Sequence, residues 1–200
     1  MLSTVYLAAE DEPGLAVGRK LVEEVPPLTI YTEENARGFG GLKNKTPNFQ
    51  RMAAQGLPVL MLTDLDNRPC PSKMINDWMV ELPNAGFLFR ICVREIEAWL
   101  LAHRAAMARF LGVSEALISR APESLADPKA ALIALSQKSP KRKIRIRFKS
   151  VGSATIGPDY NQFLGEFIRE FWDADIAAKT PPSLARARKH LRQLAASIAS

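Results

Sequence analysis

The stretch "GLPVLMLTDLDNRPCP", Gly56–Pro71, runs through Val59, Leu60, Met61 and Leu62 and then places two aspartates, Asp64 and Asp66, one residue apart. An apolar run of this length, bounded by Gly56 on one side and by Pro69 and Pro71 on the other, reads as a strand buried on both faces. Its acidic end has a plain explanation, since Asp and Asn initiate turns and Pro cannot continue a central strand. It also has a sharper one, a site for a divalent metal ion. Strand alternation predicts that Asp64 and Asp66 point the same way, with Leu65 turned into the core.

Working outward, "STVYLAA" (Ser3–Ala9), "LTIYTE" (Leu28–Glu33) and "GFLFRICV" (Gly86–Val93) read as further apolar strands. Amphipathic segments separate them: "GLAVGRKLVEEV" (Gly14–Val25), "PNFQRMAAQG" (Pro47–Gly56) and "PSKMINDWMVEL" (Pro71–Leu82). Near-continuous apolar strands alternating with helices predict an α/β domain with a mainly parallel, Rossmann-like sheet covered by helices. "NARGFGGLKNK" (Asn35–Lys45) reads as a glycine-rich basic loop, in which Gly38, Gly40 and Gly41 would let Lys43 and Lys45 approach a phosphate. Its spacing is not that of a P-loop. From Arg94 onward the pattern is helical. A helix is predicted over 94–112, and another over 127–138 with Asp127 as N-cap and Pro128 at its first position. Closing helices follow over 160–172 and 183–199. The chain divides as an α/β core over 1–112 and a basic, mostly helical elaboration over 113–200 packed on the same domain.

The net charge of +6 hides an asymmetry. Residues 1–100 hold 10 Lys/Arg against 13 Asp/Glu, and residues 101–200 hold 17 against 8. An acidic half and a basic half suggest carboxylates for a cation and cations for a polyanion, although a solvated basic surface is the plainer reading. "KIRIRFK" (Lys143–Lys149) alternates strictly and predicts a half-buried strand with Lys143, Arg145, Arg147 and Lys149 on one face. Together with Lys141 and Arg142 these are the candidate contacts to a sugar-phosphate backbone of DNA or RNA. Arg186, Arg188, Lys189 and Arg192 read as a solvated helix face. Trp78, Trp99 and Trp172 fall in core patterns, and His103 and His190 form no metal-spaced pair. Cys70 and Cys92 have no metal or redox spacing, so a reduced, cytoplasmic setting is expected. No apolar run reaches bilayer length, and the first residues lack the basic lead of a signal peptide.

Three of the four predicted strands stop at acid: "EDE" (Glu10–Glu12), "DLD" (Asp64–Asp66) and "REIE" (Arg94–Glu97). In an open α/β sheet, right-handed crossovers bring such ends to one edge, where ligands bind. One such cluster is explained by a helix N-terminus. Three clusters at one edge repel, and a hard divalent cation relieves that repulsion. Glu95 and Glu97 are expected to diverge once their helix begins, leaving one of them in reach of the ion.

"EDE", "TDLDN" and "REIEAWLLA" together resemble the Toprim fold of topoisomerases, primases and OLD-type nucleases, and most of all the small stand-alone Toprim-like proteins of bacteria, some associated with phage defence. The "DPK" helix start and "GPDYN" extend the resemblance over most of the chain. It implies that Glu10 matches the strand-one glutamate and Asp64 and Asp66 the strand-three DxD. Glu97, with Glu95 in reserve, matches the further glutamate of the OLD-like branch. The residues depart from the Toprim pattern where Asp11 and Pro13-Gly14 stand in place of a glycine after the glutamate. The implied activity is Mg²⁺- or Mn²⁺-dependent hydrolysis of DNA or RNA, with Glu10 supporting the metal or taking a proton from the attacking water. From the residues themselves, Lys129, at a helix N-terminus after Asp127-Pro128 where backbone N–H groups also face an anion, is the first candidate for a cation over the developing phosphorane charge, an ordinary surface lysine being its plainer reading. An ATPase or other defence-system protein is the further partner the resemblance allows. Two alternatives stay open: a non-catalytic nucleic-acid-binding or defence-complex subunit, and another phosphoryl- or glycosyl-transfer enzyme using its DxD.

Overall fold

A computed structural model describes residues 3–26, 28–80, 84–148 and 159–199. The chain is of the predicted α/β class. Four strands, β1 (Ser3–Ala9), β2 (Leu28–Asn35), β3 (Val59–Asp64) and β4 (Phe87–Cys92), form one sheet in the order β2-β1-β3-β4. Every pairing is parallel. The chain builds outward from β1 to β2, then returns to build the other way through β3 and β4. The reversal falls between β1 and β3, which is where open α/β sheets place their ligands.

Both sheet faces are covered, as apolar parallel strands require. On one face α2 (Phe39–Ala54) and α3 (Pro71–Trp78) enclose Met61, Phe87, Phe89 and Ile91, with Trp78 stacked on Phe89 and edge-on to Phe39. On the other face α1 (Glu12–Glu23) leads into a larger core built from the chain after β4. That part comprises α4 (Ile96–Ala102), α5 (Arg104–Leu111), α6 (Pro128–Gln137), α7 (Arg142–Phe148), α8 (Tyr160–Glu170), α9 (Ala174–Ala177) and α10 (Pro182–Ala199). One apolar cluster runs without a break from Val5 on β1 to Ala195 on α10. Trp99 and Trp172 are buried in it; the indole N–H of Trp99 donates to Ser183 Oγ at 2.6 Å and that of Trp172 to the Trp99 carbonyl at 3.1 Å. All three tryptophans are core.

Several elements differ from the sequence reading. The glycine-rich stretch is not a loop beyond Gly38: α2 begins at Phe39 and continues through Pro47. An interior proline costs a helix about 3 kcal/mol or more. Leu42, Thr46, Phe49 and Ala53 repeat at helical spacing and are all buried, and that burial outweighs the cost. Lys43 and Lys45 are therefore exposed helix residues, and Lys45 pairs with Glu34. The helix predicted over 94–112 is two helices, divided at His103, whose Nδ1 accepts from the Asp173 N–H at 3.0 Å. The "KIRIRFK" segment is helical, not extended. Its alternation conceals a helical pair, Ile144 and Phe148, both buried four residues apart, while Ile146 is left exposed. Arg188 does not lie on a solvated face; it is buried between Glu24 and Asp175. Lys149 lies outside the described residues.

Gly40 and Gly41 provide a paired test of the α2 assignment. A Cβ on Gly41 would stand 2.0 Å from the Ala36 carbonyl oxygen, whereas one on Gly40 would meet nothing within 4 Å. Gly41→Ala is expected to destabilise the fold by a few kcal/mol (about 1–3). Gly40→Ala should stabilise it by up to about 1 kcal/mol through helix propensity. Urea unfolding of the two variants checks the signs, and a loop at 39–45 would leave them equal.

Candidate functional site

The carboxyl ends of β1, β3 and β4 converge, and the acidic residues that follow them meet there. Glu10, just past β1, reaches across to β3: its Oε1 accepts from the Thr63 hydroxyl and, at 3.1 Å, from the Asp64 N–H. Asp64 closes β3 and accepts the Ile96 N–H of α4 on Oδ1 at 2.9 Å. Glu95, between β4 and α4, accepts the Lys129 N–H in the first turn of α6 on Oε2 at 2.9 Å. Asp11 caps α1 by accepting the Gly14 N–H at 3.0 Å, and Asp127 caps α6 through Ala130 as predicted. Helix starts thus turn toward the strand ends, and their free N–H groups partly offset the carboxylate charge.

That compensation is incomplete. Glu97 is buried at 1% exposure; its Oε1 accepts from Tyr160 at 2.7 Å and its Oε2 has no hydrogen-bond partner. Burial, chiefly, pushes the carboxyls of Glu10, Asp11, Asp64 and Glu97 above the ordinary carboxylate range. Asp64 is raised well above its usual value by burial and then by Glu97, Glu10 and Asp11. A cation faces the group. Lys129 Nζ lies 3.6 Å from Glu97 Oε1 and 3.7 Å from Glu95 Oε1. Burial opposes its charge, but the combined pull of Glu97, Glu95, Asp64 and Asp11 prevails and raises its pKa. Glu95 and Glu97 therefore do not diverge; both turn to one ammonium.

Asp66 takes a different course. The strand ends at Asp64, and Asp66 adopts a left-handed backbone with φ 50°, a region that Asp tolerates better than most residues. Its carboxylate pairs with Arg68 at 2.8 Å instead of lying parallel to that of Asp64. Leu65 is buried as expected. Arg94 Nη1 donates to the carbonyl of Asp66 at 3.1 Å, and Arg68 stacks over the Phe39 ring at 3.5 Å. Beside this loop opens a cleft of about 510 Å³ lined by Asp66, Asn67, Arg68, Arg94, Glu95 and Asp127.

The basic residues singled out after Pro140 are mostly engaged within the fold. Lys141 Nζ donates to the Phe110 carbonyl at 2.9 Å and to that of Arg109 at 3.2 Å, covering the C-terminal end of α5. Arg145 donates to the Ser139 carbonyl, and Arg147 forks onto Glu166 at 3.0 and 3.2 Å. Arg142 and Lys143 line a groove of about 650 Å³ together with Arg109, Phe110, Phe163 and Phe171. The single basic face expected from strand alternation does not exist, because residues two apart on a helix point in different directions.

Tyr160, Thr63 and Arg94 were not anticipated as site residues. Thr63 and Arg94 looked like ordinary neighbours of the acidic motifs. Tyr160 belongs to the "GPDYN" segment that carries part of the family resemblance, which was its one signal. Comparison with protein-family models, curated proteins and solved structures found no match.

The raised carboxyl pKa values have a definite consequence for stability. A group that binds its proton more tightly folded than unfolded supports the fold below the ordinary carboxylate range, and that support is lost as pH rises through the shifted pKa. Asp64→Asn keeps the Oδ1 acceptor for Ile96 and removes the charge. The variant should melt higher than wild type at pH 7, by about 2–4 °C per kcal/mol regained. The gap should close as pH falls toward about 4. Calorimetry across this range checks it; a variant less stable at pH 7 contradicts the reading.

Proposed function

We propose that this protein is a divalent-metal-dependent phosphodiesterase acting on DNA or RNA, built on a Toprim-like scaffold. The observation that carries the reading is the meeting of Glu10, Asp64 and Glu97 at the β1/β3 switch point, with Glu97 Oε2 buried and unpartnered. The donors are all carboxylate oxygens, the set that hard cations such as Mg²⁺ or Mn²⁺ prefer. Among the described residues no group of three or more His, Cys, Asp or Glu side chains already stands at metal-holding separation. Binding therefore requires these side chains to draw closer together; Glu10 and Asp64 hold their present partners through one oxygen each, Oε1 and Oδ1, so the other oxygen of each can turn to the ion. The excess of carboxylate charge at the site favours that approach.

In this reading Glu10, Asp64 and Glu97 would hold the ion, with Glu95 and Asp66 at its margin. The ion would supply Lewis-acid polarisation of a phosphodiester. The protein's own groups do the rest. Glu10 accepts the proton of an attacking water or supports the ion. Lys129, held charged by its carboxylate neighbours, faces the negative charge that builds on the phosphorus oxygens. Arg68 and Arg94 border the adjoining cleft and would orient the sugar-phosphate strand. A phage-defence role, with an ATPase or other protein partner, extends the resemblance. No helix among the described residues is long and apolar enough to cross a membrane.

One observation favours a second reading. Lys129 already neutralises part of the cluster, as it would in a non-catalytic subunit that uses the scaffold to hold nucleic acid or a partner.

The test is cleavage of supercoiled DNA, single-stranded DNA and RNA in Mg²⁺ and in Mn²⁺. Glu10→Gln and Asp64→Asn should each lower the rate by more than the roughly 10–100-fold that even outer partners of a metal site cost. Their circular dichroism should be unchanged. Salt-sensitive binding with no cleavage in either metal would select the second reading.

A further inference from the structure

Arg90 lies in the middle of β4, and Arg186 and His190 stand one turn apart on α10, which packs against that strand. Arg90 Nη1 hydrogen-bonds to His190 Nδ1, and its Nε is buried without a partner. By contrast, Arg19 pairs with Glu12 and Glu33, Arg147 with Glu166, and Arg188 with Glu24 and Asp175. Among the described residues no carboxylate lies within ion-pair distance of Arg90, Arg186 or His190. Burial first, and then Arg186, weakens the hold of Arg90 on its proton; burial first, and then Arg90, does the same to His190. Cations are being packed against cations, in a place where burial makes an uncompensated charge costly.

The surroundings are shaped for a small occupant. Pro71, Ile75, Phe89, Ile91 and Ser183 enclose, with the two guanidinium groups, a pocket of about 90 Å³. That space equals roughly three water molecules at about 30 Å³ each, too small for a nucleotide and sufficient for one tetrahedral oxyanion. The pocket opens at the free edge of the sheet. The ladder to β3 begins with Val59 N–H on the Gly86 carbonyl and ends with Leu65 N–H on that of Cys92. Even-numbered residues of β4 therefore face β3, and the backbone groups of Phe89 and Ile91 face outward into the pocket. Their N–H groups add donors to those of Arg90 and Arg186.

We propose that this pocket is an oxyanion site that takes one phosphate-type group, with Arg90 at its base and Arg186 at its mouth. The group comes either from free phosphate or from a nucleic-acid backbone. The site is separate from the carboxylate cluster and stands whether or not that cluster binds metal.

The test measures melting temperature against inorganic phosphate at constant ionic strength, with chloride as the balancing salt. Wild type should show a saturable rise. Arg90→Met removes, at similar volume, a half-buried charge that has no acidic partner, so it should melt as high as wild type or higher without phosphate, and its phosphate response should vanish. Arg186→Met, at an exposed position, should keep the fold and move half-saturation up by about tenfold or more, as expected for one lost charge-assisted hydrogen bond. A short oligonucleotide that competes away the phosphate response assigns the site to a nucleic-acid backbone; a response that survives saturating oligonucleotide assigns it to free phosphate. A phosphate response unchanged in Arg90→Met, or no response in wild type, overturns the proposal.

Discussion

Negative charge gathered at the end of a parallel sheet must be neutralised by something, and the way this protein does so governs its local structure. Glu10 is drawn onto the Asp64 N–H, Asp64 onto the start of α4, and Glu95 onto the start of α6. Each carboxylate thus ties one element to another, and the strand ends and helix starts are fixed relative to each other by these bonds. Lys129 adds a full positive charge shared by Glu95 and Glu97. Even so, burial dominates at Glu10, Asp11, Asp64 and Glu97, whose carboxyl groups remain reluctant to ionise. A fold that keeps such groups together at a cost in stability matches the general trade between stability and a working site.

The distribution of positive charge tells a complementary story. The excess of Lys and Arg after residue 100 suggested a surface for a polyanion, yet much of it serves inside the protein. Lys141 covers a helix end, Arg147 and Arg188 form ion pairs, and Arg145 holds a carbonyl. The part of that excess that faces solvent includes Arg142 and Lys143 with Arg109 along an aromatic groove, and Arg186, Lys189 and Arg192 on α10. Sequence charge therefore overstates the electrostatic footprint, because an internal ion pair and a surface cation count alike along a chain.

The sheet was legible because its strands are apolar on both faces, a pattern that only a covered parallel sheet satisfies. The gathering of Glu10, Asp64, Glu95 and Glu97 at one edge was legible for a topological reason: parallel strands put all their carboxyl ends on the same side. The failures have equally specific causes. "KIRIRFK" satisfies a two-residue period and a four-residue one at once, and the choice is made by the burial of Ile144 and of Phe148, the latter against the distant rings of Tyr160 and Phe163. Pro47 looked like a helix start because its cost is local, while the burial that overrides it is tertiary. Asp66 was assigned by extrapolating strand geometry one residue past the point where the strand stops. Tyr160 is 63 residues from Glu97 in sequence, and no periodicity links them.

The most direct test is a crystal of the protein soaked in Mn²⁺ and measured at the manganese absorption edge. An anomalous peak among Glu10, Asp64 and Glu97, with the three side chains drawn together around it, is the result this account predicts. A well-ordered site in which Glu10 still holds Thr63, Lys129 still lies between Glu95 and Glu97, and no anomalous density appears would contradict it.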